Sequence, residues 1–597
     1  MKATRGKHFA MGWRHGLTAV STLVLFACGG GEASGPEGGG PAGSNAGTGA
    51  GGDTSGAGTG AGGATGGAPV SMPPGGSTSG VVDVGTKAIH RLSNLEYDNT
   101  VRDLLGTQAT PSAGFQPDVE ALGFHNIAEA LDMNPRSVKD YYDAAIDLTD
   151  ELATDPTRLA TIVTCQPAAP GDPACADQII AAFGTRAFRR PLEAWEVTHY
   201  AAVYQTGLTN GLDHAGAIGH VVRTMLTAPQ FLYRMEFDSD PLSLEQHALS
   251  AYELASRLSY MMWSSMPDQT LFDLAANGQL LQLDVLQAQV DRMLQDPKAA
   301  TLVTNFTWQW FGATRLTNHE VNTTQYPAWD ETLRASMQNE LAMFFGEFVQ
   351  GGRPYTEILT ADVNYVDAKL AEVYGMPAPA SGTERVEFTT DERKGILGLA
   401  GFLTHTSRHN RTAPTIRAAW VLNSLLCMDL APPDNLVITP LPEVDPNVTS
   451  VKELIEVHRD NPACSVCHDI VDPVGLAMEQ YDGIGRFRTQ YENGDPIDTT
   501  GELPGGVTFT GFADMIDKLA AQTTGTGDPT NPTLKTVDCA ARKAFAYSMG
   551  RSVGVSSAYL DQMITNWKGQ PLTLTNLFKQ LVVNDVFRFR RGTPDAM

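Results

Sequence analysis

At 597 residues the chain is too long for one hydrophobic core, so about two to four folded units are expected. Hydrophobic residues at 42% and charged residues at 18% fit globular protein, and past the first thirty residues no run is apolar enough to cross a bilayer as a helix. The formal net charge of −25 argues against a nucleic-acid partner, because nothing offsets phosphate repulsion over most of the surface, and seven cysteines are too few for a disulfide-rich scaffold.

The first residues read as a targeting segment. Lys2, Arg5, Lys7 and Arg14 form a basic region, and Leu17 to Ala27 is apolar but too short to span a membrane. It ends Leu25-Phe26-Ala27-Cys28, which resembles the lipobox of bacterial lipoproteins and implies cleavage before Cys28 and lipidation of its sulfur; ordinary signal cleavage nearby is the alternative. Residues 29–82 are Gly, Ala, Ser and Thr with scattered Pro, a composition that cannot offset its chain entropy and is expected to be disordered. As a flexible coil it would span roughly 40 Å, a tether between a membrane surface and the folded part.

Helical signals dominate from there, so the fold class is mainly α. Ser93 and Glu96 make a capping box ahead of Tyr97, Val101, Leu104 and Leu105, with Gly106 as the stop. Asn134-Pro135 starts a second helix carrying Val138, Tyr141, Ala145, Leu148 and Leu152 on one face. Ser250 and Glu253 open another with Leu254, Leu258 and Met261, and Leu333, Met337, Leu341, Phe344 and Phe348 mark a long amphipathic helix ending at Gly351-Gly352. Short strands are expected only near Val386–Phe388 and Val507–Phe509. Breaks at 238–242, 376–384 and 431–448 are candidate boundaries, and Ala431 to Asn447, with five prolines, reads as a linker.

Beyond that linker stands Asn461-Pro-Ala-Cys-Ser-Val-Cys-His468. Two thiols one helical turn apart suit addition to the two vinyl groups of haem, and the adjacent imidazole then reaches the iron as proximal ligand. Composition alone gives an expectation of roughly 0.002 such matches. Cys464 and Cys467 are therefore assigned to covalent haem c and His468 to its iron. A thioredoxin-like pair would want a strand before it, a zinc site would need a second paired motif, and a plain Cys464–Cys467 disulfide leaves His468 unexplained. The opposite axial position is open: Met515 is the first candidate, with Met478, Met549 and His458 as rivals, and Arg486 and Arg488 are candidate partners for haem propionates.

Several stretches resemble a family of multi-domain exported proteins, common in planctomycetes and myxobacteria, built from serial domains of unknown function and often described as cytochrome-like. Arg91-Leu-Ser-Asn-Leu-Glu-Tyr-Asp-Asn-Thr-Val-Arg-Asp-Leu-Leu-Gly106 is similar to its first helical domain and Phe183-Gly-Thr-Arg-Ala-Phe-Arg-Arg-Pro-Leu192 to its second. Leu249 to Tyr260 and Asn364 to Gly375 resemble the third. Arg411-Thr-Ala-Pro-Thr-Ile-Arg417, Asp472-Pro-Val-Gly475 and Tyr481-Asp-Gly-Ile-Gly485 resemble the fourth, and Tyr547-Ser-Met-Gly-Arg551 the last. The resemblance implies five consecutive helical modules, at 83–158, 159–240, 241–378, 379–490 with the haem motif, and 491–597, after a signal peptide at 1–28. Met478 and Met549 stand where the family commonly has leucine, which makes both poor family-wide axial ligands.

Cys165 and Cys175 flank a short Pro/Gly/Asp loop and are expected to pair, which leaves Cys427 and Cys539 as a second candidate bridge. Gly550-Arg-Ser-Val-Gly554 matches a hydrolase elbow, yet it follows a helix pattern, so Gly550 reads as a helix stop. His405 and His409 have metal-binding spacing but precede Arg411-Thr-Ala-Pro, which favours a helix end and a polar loop. Asp495, Asp498 and Glu502 sit in an ordinary acidic turn, Arg186, Arg189 and Arg190 read as ion-pair formers, and Trp308-Gln-Trp310-Phe311 reads as core. The leading expectation is an exported, lipid-anchored monohaem protein on the periplasmic or cell-surface side, passing electrons to an unidentified redox partner or serving as a haem subunit. A surface binding or scaffold protein, with polysaccharide as a candidate ligand, is the alternative.

Overall fold

Ser93 accepts a hydrogen bond from the Glu96 amide, and the Glu96 carboxylate accepts from the Ser93 amide at 2.9 Å, so helix α1 (Asn94–Leu105) starts on a complete capping box. It stops at Gly106 in the left-handed region. The structure, a computed structural model, describes residues 83–86, 88–169, 172–237, 240–428, 451–459, 462–503, 506–524 and 535–592. The expected signal peptide with Cys28, the expected tether through residue 82 and the expected linker 431–447 lie outside the described residues. So do the side chains of Cys464, Cys467 and His458.

Strand β1 (His90–Arg91) precedes α1. Helix α2 (Pro135–Ala153) is capped by Asn134, which accepts from the Arg136 and Ser137 amides. Helices α3 (Pro173–Phe188), α4 (Ala194–Thr209) and α5 (His214–Leu226) follow. They pack with α1 and α2 around one core that includes Leu92, Tyr97, Tyr141, Leu148, Ile179, Phe183 and Val222. Strand β2 (Tyr233–Arg234) returns antiparallel to β1 and closes this part.

The remaining elements build a second, larger core. Strand β3 (His247–Ala248) leads into α6 (Ala251–Trp263), whose capping box on Ser250 and Glu253 is present as expected. Helix α6 is buried on every side from Leu254 to Trp263. Leu254, Leu258 and Met261 face the larger core while Tyr260 faces the smaller one, so the helix is shared. Helices α7 (Leu283–Leu294) and α8 (Glu331–Val349) follow, then an antiparallel pair of β4 (Val363–Val366) and β5 (Glu384–Glu387).

Next come α9 (Ala400–His405), α10 (Pro414–Trp420), α11 (Val451–Arg459) and α12 (Pro462–Leu476). A hairpin, β6 (Thr500–Leu503) and β7 (Val507–Thr510), lies where the second short strand was expected. Helices α13 (Phe512–Thr524), α14 (Lys535–Met549), α15 (Ser557–Lys568) and α16 (Leu574–Val583) complete the core. Strand β8 (Phe589–Arg590) pairs back with β3. The four sheets among the described residues have two strands each, so the fold is mainly α. No helix among them is long and apolar enough to cross a membrane.

Both expected disulfides form. Cys165–Cys175 closes a loop ten residues apart, and Cys427–Cys539 joins residues 112 apart, one on either side of the Cys-x-x-Cys-His segment. Closing so long a loop removes much conformational freedom from the unfolded chain. Replacing Cys427 and Cys539 together by alanine is therefore expected to lower unfolding stability by about 3–5 kcal/mol, read from urea unfolding of the oxidised full chain.

Candidate functional site

The sequence spaces Cys464, Cys467 and His468 by three and four residues, a stripe of helical periodicity, and helix α12 spans all three positions. The same stripe continues through Val471, Asp472 and Gly475, which face inward: Val471 and Asp472 are buried. A Cβ on Gly475 would meet the Pro414 carbonyl oxygen at 2.1 Å, so only glycine lets α12 lie this close to α10. Asp469 and Ile470, on the other side, are exposed.

His468 is half-buried, and its Nδ1 lies 2.9 Å from Oδ1 of Asp472, one turn along the same helix. An ionised carboxylate can only accept, so Nδ1 donates, and in the neutral ring the lone pair then resides on Nε2. That tautomer is the one a metal ligand through Nε2 requires. Asp472 also accepts from the Thr415 hydroxyl of α10 at 3.4 Å. Sequence reasoning named Asp472 only within a family-like segment and missed its part beside the imidazole. Its signal is the spacing of four from His468 on a helix.

The end of α12 is fixed by Arg417 of α10, which is fully buried. Its guanidinium donates to the carbonyls of Met478 at 2.7 Å, Tyr481 at 3.0 Å and Asp482 at 3.0 Å, and to the Ser407 hydroxyl at 3.1 Å. It also lies 3.7 Å from the buried Glu479 carboxylate, which accepts from Thr412 at 2.7 Å and Arg488 at 3.1 Å. Burial pushes the Glu479 carboxyl up and Arg417 down, each opposed chiefly by neighbouring opposite charge. The segments 411–417, 472–475 and 481–485, separate in sequence, thus form one structure around α12.

Arg488 is engaged by Glu479 and by Glu492 at 2.8 Å, which accounts for it without a propionate. Met515, in the first turn of α13, and Met478 and Met549 are all buried in the larger core. Beyond this helix, Gly550 ends α14 in the left-handed region, and a Cβ there would meet the His90 ring at 2.4 Å. It is the expected helix stop, with Ser552 exposed after it. Trp310 and Phe311 are core, stacked at 4.3 Å, and Arg190 pairs with buried Glu196 at 2.8 Å. Asp498 pairs with Lys452 at 3.3 Å, and among the described residues no group of three or more His, Cys, Asp or Glu is placed to hold a metal ion.

Helix α9 does end at His405, but the imidazole there is buried instead of lying in a polar loop. Burial, with Arg315 and His319 nearby, holds its pKa down at about 3, and His319 is held at about 4 by burial and then Arg334. Both are neutral when folded, whereas an unfolded histidine takes up a proton near pH 6.5. Stability contributed by this pair is complete above pH 6.5 and is lost as the pH falls toward 4, by about 1.4 kcal/mol per pH unit for each ring. His405→Gln should flatten the acid limb of stability against pH by about one proton, measured by urea unfolding from pH 4 to 8. Separately, Arg417→Met leaves Glu479 with less compensation and several carbonyls without a donor; a loss of about 3 kcal/mol in the same assay is expected, and Arg417→Lys, lacking the planar fork, should not restore it.

Four families of unknown function match the chain in series. PSD3 (DUF1587) matches residues 90–154, PSD5 (DUF1595) residues 175–236, PSD4 (DUF1592) residues 249–376 and PSCyt3 (DUF1588) residues 393–491. The last contains the whole Arg417 network and the Cys-x-x-Cys-His helix. No curated protein and no solved structure matches the chain. The chain is a multi-domain protein assembled from serial domains of unknown function.

Proposed function

We propose that the protein is an exported, lipid-anchored, c-type cytochrome-like protein that holds one haem covalently through Cys464 and Cys467, with His468 as proximal ligand, for electron transfer or as the haem subunit of an exported redox system. The observation that carries this reading is the hydrogen bond from His468 Nδ1 to Asp472, 2.9 Å long, within a Cys-x-x-Cys-His helix. Metal-ligating histidines characteristically donate their other ring nitrogen to a carboxylate or carbonyl, which fixes both tautomer and ring orientation.

Three further points support it. The two disulfides engage four of the seven cysteines, leaving Cys28 for the lipid and Cys464 and Cys467 for the haem. Disulfides of this kind belong to oxidising compartments, and c-type haem is attached outside the cytoplasm. The name of the PSCyt3 family, which spans the motif, points the same way.

When bound, haem supplies one-electron exchange with a partner protein. The chain's own residues supply attachment and positioning. The two thiols would attach the haem, His468 would present Nε2 to its iron, and Asp472 holds the imidazole through Nδ1. Arg417 and Gly475 pin the far end of α12, so the imidazole has a rigid base. A buried carboxylate beside the imidazole would strengthen its donation to a bound iron and so favour the oxidised form.

The test is maturation of the full chain with haem-attachment machinery, followed by a visible spectrum. A Soret band that survives acid–acetone extraction and disappears in Cys464→Ser/Cys467→Ser is expected; no Soret band in the wild type overturns the proposal and favours the scaffold alternative. In haem-loaded protein, Asp472→Asn should raise the reduction potential by about 60 mV or more, a tenfold change in a one-electron equilibrium, read by spectroelectrochemical titration.

A further inference from the structure

A separate small cavity lies away from α12, where four distant segments meet: the turn at 121–124, the chain around Trp310 to Arg315, the stretch after Trp420, and Lys543 of α14. Its volume is about 160 Å³. Lys543 enters it from a largely buried position. Its ammonium donates to the Leu122 carbonyl at 3.1 Å and stands 6.0 Å from the centre of the Phe124 ring. No carboxylate forms an ion pair with it among the described residues; Glu120, exposed on the rim, is the negative charge that acts on it. Burial holds the amine below the ordinary lysine range, with Glu120 opposing.

Arg315 lines the same cavity, and its guanidinium makes no hydrogen bond or ion pair among the described residues. In a chain of net charge −25, two cations without carboxylate partners on one small cavity run against the surrounding field. Burying an ammonium without a counter-charge is costly, and an anionic ligand removes that cost. The turn itself is built at a disadvantage. Leu122 has φ +55, a conformation unfavourable for leucine, within a turn closed by reciprocal Ala121–Phe124 backbone bonds of 2.9 Å. That turn is what brings the Leu122 carbonyl to Lys543.

The walls define the rest of a ligand. Trp310 and Trp420 are buried, and their indole N–H groups are already committed, to the Ser424 carbonyl at 2.8 Å and the Phe311 carbonyl at 2.7 Å. They therefore offer carbon surface. Space for about five waters corresponds to a two- to four-carbon acid. We infer that this cavity binds a small carboxylate-bearing molecule, its anionic end held by Lys543 and Arg315 and its carbon body against Trp310 and Trp420.

The inference is independent of haem. It is tested on the full mature chain by thermal melting and titration calorimetry with pyruvate, acetate, inorganic phosphate and methylammonium chloride at constant ionic strength. Pyruvate and acetate should raise the melting temperature saturably, by roughly a few degrees, and methylammonium should not. Lys543→Met should weaken pyruvate binding at least tenfold while melting no lower than the wild type without ligand, because a buried charge has been removed. Arg315→Gln, at an exposed position, should weaken it in the same direction with the fold unaffected. The inference is overturned if the carboxylates shift melting no more than sodium chloride does, if phosphate alone stabilises, or if Arg315→Gln binds pyruvate as the wild type does.

Discussion

A guanidinium sealed from water must be satisfied wholly by protein, and Arg417 meets that demand by gathering the carbonyls of Met478, Tyr481 and Asp482 around itself. Everything near the Cys-x-x-Cys-His helix depends on this one group. It fixes the turn that follows α12, and so the direction from which α12 approaches α10. Pro414 then meets Gly475 at a distance only glycine permits, and Thr415 reaches Asp472. Asp472 in turn orients His468. The chain of constraint runs from a buried charge, through backbone carbonyls, to a tautomer.

A second buried acid organises the neighbouring wall in the same manner. Glu340 of α8 accepts from Asn364 at 2.8 Å and the Gly401 amide at 2.8 Å, and from the Tyr374 hydroxyl. Burial pushes its carboxyl above the usual range, and these donors oppose that shift. Arg393 lies over both the Tyr374 and Tyr481 rings and donates to the Gly485 carbonyl at 2.6 Å. The Glu340 and Arg417 networks therefore meet at Tyr481, joining the long helix α8 to the segment behind α12. Polar interiors of this kind hold one arrangement because a partial one leaves charges stranded.

Local signals were legible in the sequence and distant ones were not. The capping boxes at Ser93–Glu96 and Ser250–Glu253, the stops at Gly106 and Gly550 and the β6–β7 hairpin all follow from residues within a turn or two of each other. The cysteine pairings followed from counting and loop chemistry. Asp472 could have been found by the same local rule, since a residue four past His468 on a helix shares its face. Arg417 could not: its segment was conspicuous, but nothing local says that its side chain points at carbonyls sixty residues on. The burial of His405 and the sharing of α6 between two cores were likewise invisible, because each depends on what packs from elsewhere. Nothing local marks the cations Lys543 and Arg315, which come together only where four segments meet.

The sharing of α6 bears on how this chain can be divided. The stretch between the second and third family matches, residues 237–248, is where sequence comparison would cut. Yet α6, just past that cut, supplies Tyr260 to the smaller core, and Met266 and Phe272 follow it there. A fragment ending before α6 would expose the apolar floor those side chains cover, and one beginning there would carry them into water. Evolutionary units and cooperative units do not coincide here. Recombination of such modules between proteins would have to preserve the seam as well as the pieces.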